Sequence, residues 1–240
     1  PRVLGPIERL MNRLCGVDPA REQTWLQYAG ALLAFSLLGL LVTYAIERAQ
    51  GWLPLNPRQL PGVEPTLAFN TAASFVTNTN WQSYSGEATM SALTQMVGLA
   101  WHNFTSTAAG LGVALALARG LTRRPGPDGA KTLGNFWVDV NRALLYVLVP
   151  LSVVFALLLV SQGVVQTLAA SIELKTVEGV TQTLALGPVA SQEAIKELGT
   201  NGGGFFNVNS AMPFENSNGL TNALEIWLIL AIPAALTSTY

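Results

Sequence analysis

Two short stretches hold the residues with the most chemical promise: "TNTNWQ" at Thr77–Gln82 and "GTNGGGFFN" at Gly199–Asn207. What they offer is backbone rather than a reactive side chain. Small polar residues and three consecutive glycines, Gly202, Gly203 and Gly204, sit in a chain that is 50% hydrophobic. Glycine visits left-handed conformations without a Cβ penalty. Such a stretch can therefore present successive carbonyl oxygens in place of an ion's hydration shell. Taken alone, a glycine triplet reads as a flexible surface linker. Its surroundings have to decide.

The surroundings repeat. Thr77-Asn78 recurs as Thr200-Asn201 at an offset of 123 residues, and Pro65 recurs at the same offset as Pro188. Each proline opens a short segment that ends before the Thr-Asn pair, "PTLAFNTAASFV" and "PVASQEAIKELG". Proline suits the first turn of a helix. Twelve helical residues rise only about 18 Å, enough to enter a bilayer but not to cross it. Non-helical backbone at that depth is tolerated only inside protein or along a watery path. By itself the second segment, with Glu193, Lys196 and Glu197, would read as an exposed amphipathic helix; the matched spacing of both units favours a pore lining.

Long apolar runs surround these units. No charge appears from Trp25 to Ile46, a length that fits a membrane span. Further uncharged stretches run from Ala88 to Ala118, from Ala143 to Ile172, and from Ile226 onward. Only 11% of residues are charged, against about 25% in soluble domains. The net charge of -1 gives no field directed at nucleic acid. Arg2, Arg9, Arg13 and Arg21 precede the first span; Arg119, Arg123, Arg124, Lys131 and Arg142 lie between the second and third. That bias places both segments on the cytoplasmic side, and 47–87 and 173–225 on the outside or dipping inward. The chain opens on Pro1 and stops within an apolar run, so it reads as a piece of a longer one.

"TNTNWQSYSGE" and "GTNGGGFFNVNSAMPFENSN" resemble the first and second selectivity-filter regions of KdpA, the potassium-binding, channel-like subunit family of the bacterial Kdp potassium-transporting ATPase. The resemblance extends over essentially the whole chain. It implies an all-α polytopic membrane protein of the potassium-channel superfamily, with repeats of outer helix, re-entrant pore helix, filter loop and inner helix. The family is expected to have four repeats and a leading helix. This chain holds two, half a filter ring.

The organisation expected from this is a cytoplasmic lead-in at 1–24, a first repeat at 25–118, a cytoplasmic loop at 119–142 and a second repeat at 143–240. Carried over by position, potassium would meet backbone carbonyls of Thr77, Asn78, Thr79, Asn80 and, at the outer end, Gln82. In the second repeat the residues would be Thr200, Asn201, Gly202, Gly203 and Gly204. Asn80 stands opposite Gly203 in the offset, which implies an asymmetric ring with room for side-chain amide contacts. The implied partners are a P-type ATPase catalytic subunit, a small single-span accessory subunit and membrane lipid, in the bacterial plasma membrane. ATP would be hydrolysed elsewhere, since no nucleotide site or phosphorylatable aspartate motif is legible here.

Other residues weigh less. His102, in "WHNFTSTAAG", is read as packing against neighbouring helices, with a vestibule lining as the lesser reading. Glu87, Glu215 and Glu225 fall just beyond the two loops; they would either gather cations or be ordinary solvated or helix-starting acids. "GPDGAKT" at Gly126–Thr132 fails as a phosphate loop, because Ala130 separates Gly129 from Lys131. Arg123 and Arg124 beside it suit anionic headgroups. Two rival readings stay open: a stand-alone, gradient-driven potassium uptake protein, and a polytopic enzyme acting on a lipid-linked substrate. The enzyme reading lacks a constellation, having one histidine and scattered acids.

Overall fold

The computed structural model describes residues 4–123, 132–169 and 171–239. Helix α1 spans Leu4–Leu14. Helix α2, Trp25–Ala49, starts on a reciprocal cap: Gln27 N donates to Thr24 Oγ1 and Thr24 N donates to Gln27 Oε1 at 3.0 Å. A 3-10 turn at Gln50–Trp52 ends it. Helix α3, Pro65–Val76, is the first half-length helix; Pro65 opens it and the Glu64 carboxylate accepts from Leu67 N at 2.9 Å.

A short turn, α4 (Gly86–Thr89), leads through Met90 into a π-helical segment at Thr94–Ala100 that continues as α5, Trp101–Thr122. Helix α6, Phe136–Arg142, runs through a second π segment, Ala143–Leu148, into α7, Val149–Ser161. The widened turn lies just before Pro150, which lacks an N–H and crowds the carbonyl four residues back. A hairpin follows, β1 (Ile172–Lys175) against β2 (Thr181–Leu184), antiparallel with Ile172 opposite Leu184. The second half-length helix is α8, Val189–Leu198, and α9 is Gly219–Thr239.

Four of these helical stretches are long and apolar enough to cross a membrane: Trp25–Trp52, Thr94–Thr122, Phe136–Ser161 and Gly219–Ser238. Only 6% of the apolar length of the first is buried, against 39% of the second. In the first unit, therefore, α2 lies outside and α5 inside.

Several expected bounds shift. The third span begins at Phe136 rather than Ala143 and ends at Ser161, not Ile172. Counting charge-free residues misses its start because Asp139 and Arg142 lie within the helix. Asp139 is neutralised there by Arg119, whose two terminal nitrogens reach its oxygens at 2.5 and 2.8 Å. It ends early at Gly163, which takes a φ of 96°. The apolar run from Ala88 is interrupted at Met90, and the fourth span starts at Gly219 instead of Ile226. Pro188 caps α8 from outside, whereas Pro65 lies within α3. The hairpin was invisible in the apolar pattern because its residues are mostly exposed.

The lead-in and the 119–142 connection meet at one end of the molecule. Arg123 pairs with Glu22 at 2.9 Å, and Glu8 takes the Arg142 Nε and the Tyr146 hydroxyl, each at 2.7 Å. These two donors, the phenol first, hold the Glu8 carboxyl below the usual carboxylate range. Arg2, Arg124, Lys131 and most of "GPDGAKT" lie outside the described residues.

Candidate ion-binding site

Both half-length helices end in backbone that bends back on itself. After α3, the amides of Thr79 and Asn80 both donate to Ser74 O, at 3.0 and 3.1 Å, and Ser74 Oγ donates to Trp81 O at 2.9 Å. After α8, Thr200 N donates to Glu197 O and Asn201 N to Lys196 O, at 3.1 and 3.0 Å. Left-handed φ values occur at Asn78 (62°) and Asn80 (53°) in the first loop, and at Thr200 (52°), Gly202 (74°) and Gly203 (69°) in the second. Asn80 and Gly203 are the repeat-related pair that share this geometry, and asparagine tolerates it better than most residues.

The amides are thus turned toward the helices that deliver the loops. Among the described residues, no hydrogen bond engages the backbone carbonyls of Thr77, Asn78, Thr79, Asn80, Thr200, Asn201, Gly202 or Gly203. Such unpaired carbonyls inside a membrane protein are expensive unless water or a cation meets them.

The two loops are pinned to each other. Gln82 Oε1 accepts from Gly204 N at 2.9 Å, and Gln82 Nε2 donates to Gly204 O at 3.1 Å. Asn201 Nδ2 donates to Asn78 Oδ1, joining the same position of both repeats. That oxygen also accepts from Ser106 Oγ at 2.7 Å, and Thr107 Oγ1 donates to Gly199 O at 3.0 Å. Farther out, Gln192 Nε2 donates to Gln95 Oε1 at 3.1 Å, and Asn207 N donates to Glu87 Oε2 at 2.9 Å. A Cβ added to Gly203 would come 2.8 Å from Asn80 O. Thr77 and Thr79 are exposed, as are Thr200 and Gly202, while Asn80 and Asn201 are buried. The side-chain amide of Asn80 has no hydrogen-bond partner among the described residues.

His102 is buried and its Nε2 lies 3.2 Å from Gly39 O, so it packs α5 against α2, the favoured of its two readings. Gly39 is needed there, since a Cβ would stand 2.6 Å from the ring. Glu215 and Glu225 are not solvated acids; both are buried. Glu215 accepts from Phe206 N and Ser210 N at 3.1 and 2.8 Å, and burial pushes its carboxyl up. Nor is α8 an exposed amphipathic helix, because Glu193, Lys196 and Glu197 are all buried. Mixed charge in so short a segment between apolar spans was the available signal. Gln82 was expected only as a backbone ligand at the outer end of the first loop, and Ser106 and Thr107 showed only as polar residues inside an apolar span; none of their hydrogen bonds to the loops was legible.

A cavity of about 430 Å³ opens beside the second loop, lined by Thr200, Gly202, Gly203 and Glu225 among others. A smaller one of about 170 Å³ lies between Asn78, Thr107, Thr200 and Pro233. Fold and site together define a multi-pass helical membrane protein built on a duplicated unit of outer helix, half-length helix, bent loop and inner helix.

The model of the KdpA family, described as the potassium-transporting ATPase A subunit, matches residues 1–240. The chain belongs to that family. It is 58% identical over 239 residues to the potassium-transporting ATPase potassium-binding subunit of Solibacter usitatus, covering 100% of this chain and 41% of the relative. The protein of the same description from Pseudomonas entomophila is 59% identical over 238 residues, covering 99% and 42%. That from Bordetella pertussis is 55% identical over 264 residues, covering 98% and 44%. The chain thus spans about two fifths of the length of these curated relatives.

Proposed function

We propose that this chain forms part of the channel-like subunit of an ATP-driven potassium importer and supplies two arcs of its ion-selecting ring. Potassium entering from outside sheds its water against the carbonyls of Thr77, Asn78, Thr79 and Asn80, and of Thr200, Asn201, Gly202 and Gly203. Gln82 and Gly204 lock the arcs in register. The first unit, from residue 25 to the end of the second span at Thr122, and the second, which starts at Phe136 instead of the expected 143, act as two channel-like repeats joined through a short cytoplasmic connection within 119–142, behind the 1–24 lead-in. The ion then passes to a P-type ATPase subunit that hydrolyses ATP, with a small single-span subunit alongside, in the bacterial plasma membrane.

One observation supports this reading most: unengaged carbonyls on two repeat-related loops that are tied to each other. A loop meant only as a linker would leave its carbonyls in water and would have no cause to pin them across 123 residues of chain. The test is potassium uptake into vesicles by the full-length subunit, with and without its ATPase partner. Uptake that requires the partner and ATP is the expected result. Uptake by the subunit alone, driven by the gradient, would transfer the assignment to a stand-alone carrier. Potassium-independent ATPase activity of the complex would remove potassium as the ligand.

A further inference from the structure

Behind the second loop lies a group of buried charges that ion binding at the carbonyls does not itself require. Lys196 Nζ lies 3.1 Å from Glu193 Oε1 and 2.7 Å from Glu197 Oε1, and it donates to Ser210 Oγ. Ser210 Oγ donates in turn to Glu197 Oε1 at 2.9 Å. The Ser210 amide is taken by Glu215 Oε2 at 2.8 Å, and Glu215 Oε1 holds Phe206 N at 3.1 Å. Asn209 and Ser210 both have left-handed φ values, 46° and 66°, without being glycine. Backbone of that kind persists only where its surroundings over-determine it.

The last turn of α8 therefore grips the loop from both ends. Main-chain carbonyls of Lys196 and Glu197 receive the amides of Asn201 and Thr200, where the loop begins. Their side chains receive Ser210, in the segment where it ends. The first repeat does the same work without charge. The positions 123 residues earlier than Lys196 and Glu197 are Ala73 and Ser74, and Ser74 uses only its hydroxyl and carbonyl.

We propose that Lys196 is a positioning residue for the second loop, setting its fit to the ion through Glu197 and Ser210; this rests on the ion-binding reading given above. Burying an ammonium among carboxylates is costly unless the geometry is good. The whole network ends on the backbone that brackets Gly202–Gly204. Its role is to fix the spacing of those carbonyls, which a neutral side chain at 196 cannot do.

The test uses the full-length subunit in its complete ATPase complex, with ATP hydrolysis measured against potassium and against rubidium. Loss of a hydrogen bond to a charged group corresponds to about tenfold in binding. Lys196→Met is accordingly expected to raise the KM for potassium about tenfold and to narrow the potassium-over-rubidium ratio, while kcat per assembled complex stays within about twofold. Ser210→Ala removes one hydroxyl at a half-buried position. It is expected to move the ratio in the same direction by about threefold, and it decides the matter if Lys196→Met does not assemble. Assembled complexes with unchanged KM and unchanged ratio would overturn the proposal, as would a fall in kcat alone. Gly203→Ala serves as the control. If it shifts the ratio and the other two do not, the loop still binds the ion and only the role of Lys196 falls. If it too has no effect, the ion-binding reading falls first.

Discussion

Gln82 and Gly204 hydrogen-bond to each other twice, side-chain amide to backbone amide, across the junction of the two repeats. This paired contact sets the first loop against the second as a strand would be set against its neighbour, with one side chain standing in for a partner strand. It also fixes which carbonyls come next to one another.

Gln82→Leu removes both hydrogen bonds at nearly constant volume and leaves Gly204 N without its acceptor. The KM for potassium should rise about tenfold in the full complex, the usual effect of an orphaned buried donor. A KM at the wild-type value would show that the junction does not depend on this residue.

At Gly203 the φ of 69° and the 2.8 Å approach of a virtual Cβ to Asn80 O act together. Gly203→Ala should therefore cost about 1–2 kcal/mol of local strain. It should also push the first loop aside, lowering potassium-over-sodium discrimination in uptake assays. Unchanged discrimination would take Gly203 out of the ring.

Asn80 separates a backbone role from a side-chain role. Glycine there keeps the left-handed turn at no steric cost and deletes an amide that nothing else engages. Asn80→Gly should keep potassium affinity within about twofold, whereas Asn80→Leu pays about 1–2 kcal/mol in that conformation. A large affinity loss in the glycine variant would instead put the amide in the ion's shell.

Arg119 and Asp139 form a bidentate pair that also takes the Tyr28 hydroxyl at 3.0 Å, tying α2, α5 and α6 together at one end. Arg119→Ala leaves the buried Asp139 unpaired, a loss of about 3 kcal/mol. The melting temperature of the purified subunit should fall; an unchanged melt would mean that the three helices hold without it.

The pairing of Glu8 with Tyr146 and Arg142 gives the docking of α1 a pH dependence of known sign. The folded carboxyl titrates below its ordinary value of 4.5. Its contribution is therefore complete above that pH and is lost as pH falls through the lower, folded value. A fluorophore on exposed Cys15, at the end of α1, should report release in strong acid for the wild type, whereas Glu8→Gln should show weaker docking at every pH without that acid step. Identical profiles for both would detach Glu8 from the docking.

Much of this architecture could be read from residues alone, because it rests on composition and spacing. Long apolar runs mark spans, and Pro65 and Pro188 mark where the half-length helices start. Bounds failed wherever a charge was paired rather than absent, as at Asp139, or where backbone geometry ended a helix inside an apolar run, as at Gly163. The loops were legible through Asn78 and Asn201, but that these residues touch each other was not, since side-chain contacts leave no periodic trace. Composition alone would have placed both Lys196 and Glu215 in water, and only the repeat spacing spoke against that for Lys196. Charge normally signals water, and only the fold reveals a charge enclosed by its counter-charges.

The neutral grip on one loop and the ionic grip on the other have an evolutionary consequence. In a pore assembled from identical copies, any exchange is stamped on every quarter at once, and gradual change is hard. A duplicated chain frees each arc to drift by itself, so one can be retuned while its sibling keeps the pathway working.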